Sequence, residues 1–552
     1  MSKKIFIITN EKDISHKIVD KYDEILSANP YLWHICSIKN IKSKILSEEI
    51  SIEEIEECYN FANKIFLKNN FDSKKFDLIE FFRIYYWELF YEYNLINIFI
   101  KKNIKNKIFI SNQSKIKPNS HLELLQPNIL LKNFFKSNSY NFEFEENFGF
   151  EFNLKYFLKI FFKSILNKTS KNLLSLPEEN FFDNLIIASD HDLSKILNFL
   201  KEKNLNKTNN IIFGIHKDKK KIIKFFQDKN ASIIFFDMNL YLRSNVGLKI
   251  DINIKEIQDS LRVLLNTYNI KIDVSYFEKL TQDYELALSA NEIMKIFFEK
   301  NKVTDIFIVD FNGFLERSLE QINKFKNLKI NLFPHGWLAN PEAYRFNCGK
   351  YYYNGLLEKQ ILSKFNENVL FSKINLVSEK KKLPKKINKI LILITRARNR
   401  LATNFETKQF ENVWLTFLKF LKKDDSLEIN FKFHPNHNYK NWLINFFKSK
   451  NFTNYDIING DVSKISSNYD MVIDFGFPGS ATREVLLSGI PILIFTGLYK
   501  FDRGMNGYLI DKNYTIKTID ELCSKFQKCI NNPENELKTL IIDNKKLLSL
   551  LN

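Results

Sequence analysis

The residues best suited to chemistry lie where apolar runs stop. Residues 470–495 read DMVIDFGFPGSATREVLLSGIPILIF. An apolar run at 470–475 ends in a glycine-rich turn at 476–479, and Ser480 stands where a helix N-cap belongs. The helix would run to about residue 488, with Gly489 as its stop and Pro491 opening a second apolar run. A helix that begins there points free amides and a positive dipole end at the edge of a sheet, which is an arrangement that receives phosphate. Gly479 and Ala481 let the backbone approach, and Ser480 and Thr482 add hydroxyl donors. Glu484, one turn in, is placed to accept from ribose hydroxyls, while Arg483 faces phosphate or solvent.

Three other clusters follow apolar runs in the same way. His434-Pro435-Asn436 ends a run at 428–433; the proline terminates a strand and leaves the imidazole at the sheet edge, within reach of a phosphate. His437 lies three residues on, but no carboxylate accompanies the pair, so no metal site is expected. His335-Gly336 follows a run at 329–333 and sets an imidazole beside a tight turn, as a base or as a donor to phosphate or hydroxyl. Asp310, Asn312 and Gly313 follow a run at 305–309, where the carboxylate either takes a proton from an acceptor hydroxyl or caps a helix. Asn312, Gly313 and Gly336 are expected on the acceptor side. Arg396, with Arg398 and Arg400, follows a run at 387–394 and brings guanidinium forks to the same edge.

The elements that must position these groups alternate between apolar strand and helix. From 181 onward, and again from 387, that alternation predicts an α/β fold with parallel doubly wound sheets. Such sheets bind ligands beyond their strands' carboxyl ends, where these clusters fall. Four segments are expected. Residues 1–150 form an α/β region with strands at 4–9 and 107–111, helices at 47–69 and 77–101, and little periodicity over 112–150. Residues 151–180 hold a basic amphipathic helix, with Lys155, Lys159 and Lys163 on one face, and a polar linker. Rossmann-like units occupy 181–375, on the acceptor side, and 385–552, on the donor side.

A chain of 552 residues is too long for one core. Lys and Arg number 82 against 64 Asp and Glu, a net charge of +18, which suits an anionic partner. The excess runs through every segment of a chain saturated with Lys, Asn, Ile and Phe, so coding bias explains it equally well. The five cysteines are scattered without a CxxC pair, which excludes a disulfide framework or zinc knuckle and fits a reducing cytoplasm. The N-terminus lacks a signal peptide's apolar core, and no run approaches the ~18 apolar residues of a membrane span. A cytoplasmic protein is expected, with the helix at 154–166 touching the inner membrane peripherally or packed between domains. No RNA-binding aromatic motif occurs, so nucleic acid is not an expected partner.

His434-Pro435-Asn436, followed about forty residues later by DFGFPGSATREVLLSGIPIL, resembles the C-terminal half of GT-B-fold glycosyltransferases. The nearest likeness is to the bacterial sialyltransferase, polysialyltransferase and capsule Kdo-transferase group. In that group an HP motif and a Ser/Thr motif hold the nucleotide phosphate of a CMP-activated sugar; His434, Pro435, Ser480 and Thr482 match them. Asp310 and Gly313 resemble its acidic-residue-plus-glycine motif, which carries the general base. His335-Gly336 with His434-Pro435 is also similar to the teichoic-acid glycerophosphotransferases, which use CDP-glycerol. Asn436 and Glu484 resemble features of the UDP-GlcNAc 2-epimerases. The resemblance spans about 300–510 and implies two facing Rossmann-like lobes. It further implies transfer of a nucleotide-activated sugar, a CMP-linked nonulosonic acid or Kdo, to a surface-glycan or lipid-linked acceptor. The nucleotide sugar would be a co-substrate, with no other cofactor and no essential metal.

Overall fold

The computed structural model describes residues 2–11, 14–68, 83–111, 127–138, 142–145, 176–177, 180–214, 216–238, 241–242, 254–272, 274–309, 313–334, 346, 348–364, 366, 369–374, 383–395, 407–424, 426–434, 440–476, 478–498, 508–509, 512 and 514–551. Three parallel sheets carry the chain. The first holds β1 (Lys4–Ile8), β2 (Glu24–Ser27), β3 (Lys44–Ile45), β4 (Lys107–Ser111) and β5 (Phe142–Glu145) in the order β3-β2-β1-β4-β5. The second holds β6 (Phe181–Ile187), β7 (Asn209–Phe213), β8 (Ser232–Phe236), β9 (Lys302–Val309), β10 (Ile330–Phe333), β11 (Lys350–Tyr353) and β12 (Leu370–Lys373) in the order β12-β11-β10-β9-β6-β7-β8. The third holds β13 (Lys389–Ile394), β14 (Glu428–Phe433), β15 (Asp456–Ile457), β16 (Met471–Phe475) and β17 (Ile492–Phe495) in the order β15-β14-β13-β16-β17.

Each order reverses beside its first strand, at β1, β6 and β13. This is the doubly wound, Rossmann-like plan, and it opens a crevice beyond the strand ends at the reversal. The sequence causes it directly. KILILI of β13, MVIDF of β16 and ILIF of β17 are near-continuous apolar runs, buried on both faces as central parallel strands must be. The edge strand β17 is closed by helix α8 (Pro533–Leu551), whose Asn544 side chain accepts from the Ile492 amide at 3.0 Å and donates to its carbonyl at 3.1 Å.

Two packing features join the sheets. Helix α2 (Val274–Lys300) buries Leu288 in the core of the first sheet and Ile293 and Phe297 in that of the second. Helix α1 (Pro30–Ile38), capped by Asn29 through the Leu32 amide, lies on α5 (Thr407–Leu421) and α6 (Lys440–Ser449) of the third sheet. There Trp33 meets Phe410 edge-on at 5.9 Å and Trp442 at 5.6 Å, and the Trp442 indole donates to Ser37 Oγ at 3.0 Å. Burying two tryptophans makes this a strong joint, since each such side chain removes a large apolar area from water.

Several elements differ from the sequence expectation. Residues 112–150 read as turn-rich with little periodicity and no element is placed there, yet a helix spans Pro127–Asn138 and β5 completes the first sheet. β2, β3, β11 and β12 were also not foreseen, being two to four residues long with no clean alternation. The basic helix expected at 154–166 lies outside the described residues.

Candidate anion-binding site

The site grows from β16. After Phe475 the chain turns at Gly476, whose φ of +141° suits glycine; a Cβ there would lie 2.7 Å from Thr395 Oγ1 at the end of β13. The turn therefore rests against the strand where the sheet order reverses. Helix α7 (Ser480–Leu487) follows. Its N-cap is Gly479 rather than the expected Ser480, which is the first helical residue and exposed. Because glycine has no side chain to fold over the helix end, the first amides stay open. Among the described residues, the amides of Ser480, Ala481 and Thr482 meet no acceptor, and the first backbone bond of the helix runs from Arg483 N to Gly479 O. A Cβ on Gly479 would meet nothing within 4 Å, so the cap position itself is uncrowded.

Thr482 does not present its hydroxyl to this space. The side chain is 1% exposed; its oxygen accepts from the Gly479 amide at 2.7 Å, and its hydrogen is donated to Asp474 Oδ2. Thr482 thus holds the turn together from beneath, and its own contribution to a ligand is its amide. Asp474, in β16, is buried, and burial pushes its carboxyl up to about 7 despite the Thr482 bond.

Around this core the other residues fall as follows. His434 ends β14, next to β13 in the sheet, with its side chain exposed and its amide donating to Ile394 O at 3.0 Å. Glu484 is half-buried. Burial and then the charge of Asp461 raise its carboxyl, while Arg483, the Ser463 amide and Lys432 pull the other way. Arg483 is half-buried too, and it acts on a second carboxylate. This is Glu358, in helix α4 (Leu356–Ser363), fully buried and raised by that burial, with Arg483 the leading influence lowering it. Glu358 accepts from the Asn354 amide at 2.7 Å, the Asn354 side chain at 3.0 Å and the Tyr351 hydroxyl at 3.0 Å. A charged interaction therefore runs from the first turn of α7 to the second sheet's region.

On the second sheet, Gly313 is the N-cap of helix α3 (Phe314–Lys326), and the Glu316 side chain folds over the place a Cβ would take. Asp310, Asn312, His335, Gly336, Arg396, Pro435 and Asn436 lie outside the described residues. Among the described residues, no group of three or more His, Cys, Asp or Glu is arranged to hold a metal ion, and no helix is long and apolar enough to cross a membrane.

Asp474, Glu358 and Thr395 were missed as contributors. For Asp474 the signal was present: a carboxylate inside an apolar run, eight residues before a threonine. Glu358 and Thr395 meet their partners only through the tertiary fold.

No family model matches the sequence, and no curated protein matches it. Similar solved structures include TarM, at 12% identity with 66% of this chain and 94% of that one covered, TM-score 0.38. UDP-GlcNAc 2-epimerase from Neisseria meningitidis, bound to UDP-GlcNAc, shares 9% identity over 67% of this chain and 98% of its own, TM-score 0.35. A ugt transferase from Siraitia grosvenorii in complex with UDP shares 8% identity over 66% and 94%, TM-score 0.35. Likeness at this level does not carry chemistry from one chain to another.

Proposed function

We propose that the chain is a GT-B-type glycosyltransferase that takes its sugar from a nucleotide-activated donor. The observation that carries this reading is the start of α7, with three amides that meet no acceptor among the described residues behind a glycine cap at the carboxyl edge of β16. Anionic oxygen is the natural acceptor for such amides, and the helix dipole adds to it. The donor phosphate sits on the amides of Ser480, Ala481 and Thr482, with the Ser480 hydroxyl and His434 beside it and Glu484 toward the ribose. The acceptor, a surface-glycan or lipid-linked sugar, approaches from the second sheet. In the sequence Asp310 comes next after Val309, the last residue of β9, and His335 two residues after Phe333, the last of β10, and β9 and β10 are neighbours in the sheet. One of the two removes the acceptor's proton, while the α7 amides and His434 stabilise the charge that develops on the leaving phosphate.

CMP-linked nonulosonic acids and Kdo are the donors proposed on the HPN and Ser/Thr motifs. The test is binding and turnover of CMP-sugars, UDP-sugars and CDP-glycerol by the full chain and its His434→Ala variant. We expect turnover of a sugar donor and a loss of about tenfold or more in the variant, the scale of one charge-assisted hydrogen bond. Full activity and donor affinity in His434→Ala would remove the histidine from the site, and turnover of CDP-glycerol alone would replace sugar transfer by polyol-phosphate transfer.

A further inference from the structure

Asp474 stands in an apolar setting with one polar contact. Its neighbours across the sheet are Leu393 of β13 and Ile494 of β17, and Val485 and Leu486 of α7 pack in the same cluster. Its hydrogen-bond partner among the described residues, the Thr482 hydroxyl, is also the acceptor for the Gly479 amide. A relay of two hydrogen bonds thus joins the carboxyl to the cap residue of the open helix end. Among the described residues, no charge balances it. On α7, Arg483 acts on Glu358, and Glu484 on Asp461 and Lys432. β17 carries no charged residue, and β13 has only Lys389 at its far end, paired with Glu428. On α8, Asp543 and Lys546 pair with each other, and Lys545 is exposed.

Resting on the reading of α7 as the donor-phosphate site, we propose that Asp474 is a positioning residue that couples donor binding to proton uptake. An anion seated on the Ser480 to Thr482 amides adds negative charge above a carboxylate already held in a low-dielectric setting. That charge disfavours the ionised form, and by reciprocity the protonated form binds the anion more tightly. Asp474 titrates near neutrality because burial lifts it to about 7, so the coupling falls in an accessible pH range. Once neutral, the carboxyl still accepts from Thr482, and the turn keeps its shape.

The experiment measures binding of UDP-N-acetylglucosamine and of a CMP-sugar to the full chain between pH 6 and 8.5, by calorimetry in buffers of different ionisation enthalpy. The phosphodiesters of both probes do not titrate in that range. For wild type we expect affinity to fall with rising pH, by up to tenfold per unit above the Asp474 midpoint, with proton uptake on binding. Asp474→Asn keeps the acceptor and removes the charge, so its affinity should fall less steeply with pH than wild type, any remaining slope belonging to the His434 imidazole beside the phosphate, and at least equal wild type at pH 8. Thr482→Val, which keeps shape but breaks the relay, should weaken binding at every pH. Tight binding with no slope in wild type, or a slope undiminished in Asp474→Asn, overturns the role of Asp474 alone. Absence of binding by either probe at every pH overturns it together with the reading of the site.

Discussion

Helices α5 and α7 both set out from the carboxyl edge of the third sheet, one on the path from β13 and the other from β16, and their first turns meet different surroundings. At α5 the first residue, Thr407, is buried and donates to Glu48 Oε2 at 3.2 Å, and the other oxygen of that carboxylate accepts from the Ile45 amide at 2.9 Å. Glu48 comes from the first sheet's region, so one part of the chain supplies a negative charge to the positive end of a helix in another. At α7 the cap is a glycine, the first residue is exposed, and three amides stay unpaired among the described residues. A helix N-terminus is therefore not in itself a binding site. It becomes one where the rest of the fold withholds a carboxylate and leaves room, and it becomes a joint where the fold supplies one.

The joint depends on the aromatic cluster beside it. Trp442 packs on Trp33 and His34 and bonds Ser37, and it is 4% exposed. Trp442→Ala should destabilise the chain by about 3–5 kcal/mol, the usual cost of removing a buried large aromatic. Denaturant melts followed by fluorescence and far-UV CD would measure it, and a loss below about 1 kcal/mol would mean that α1 does not need this contact. Next in size is a substitution that turns the open helix end into a closed one. Gly479→Asp places a capping carboxylate where the backbone is extended and no atom lies within 4 Å of the new Cβ. Its oxygens would take the Ala481 and Thr482 amides, as a capping aspartate does. Donor affinity should fall by roughly a hundredfold, the scale of one or two charge-assisted bonds, while Tm holds or rises. Undiminished nucleotide-sugar affinity would show that the donor binds elsewhere.

The contrast between the two helix ends was only half legible in the sequence. The α7 end was legible because three local signals coincide: an apolar run buried on both faces, a glycine turn, and a helix stop at Gly489, which takes φ +66°. β14 and β17 fall where the sequence places them for the same reason. The cap slipped by one residue because serine is a strong N-cap former and glycine a weaker one, yet the position needs open space more than a side chain. The α5 end was illegible. Glu48 and Thr407 lie far apart in sequence and meet only after two sheets dock, and β3, which brings Glu48 there, is two residues long. Asn29 before Pro30, a side-chain cap followed by proline at the first helical position, is a helix-start signal that the sequence reading passed over. Asp474 escaped for an opposite reason. A carboxylate in a strand invites a solvent-facing reading, although the apolar run around it already marked an interior acid, as the continuous burial of β16 bears out.

The smallest expected effect separates charge from shape at the closed end. Glu48→Gln keeps a side chain of the same length whose one oxygen still accepts from the Ile45 amide while its NH2 donates to Thr407 Oγ1, and it removes the negative charge from the start of α5. If the charge matters through the helix dipole, the variant should lose about 0.3–1 kcal/mol of stability at low ionic strength. Thr407 is buried and Glu48 half-buried, so salt should screen the interaction only in part, and the difference from wild type should shrink without vanishing near 0.5 M salt. Urea melts at two salt concentrations measure both quantities. A variant as stable as wild type at low salt would show that the joint is held by packing and hydrogen bonding alone. The two helix ends would then differ in access rather than in charge, and the preference of α7 for an anion would rest on its open amides instead of on its dipole.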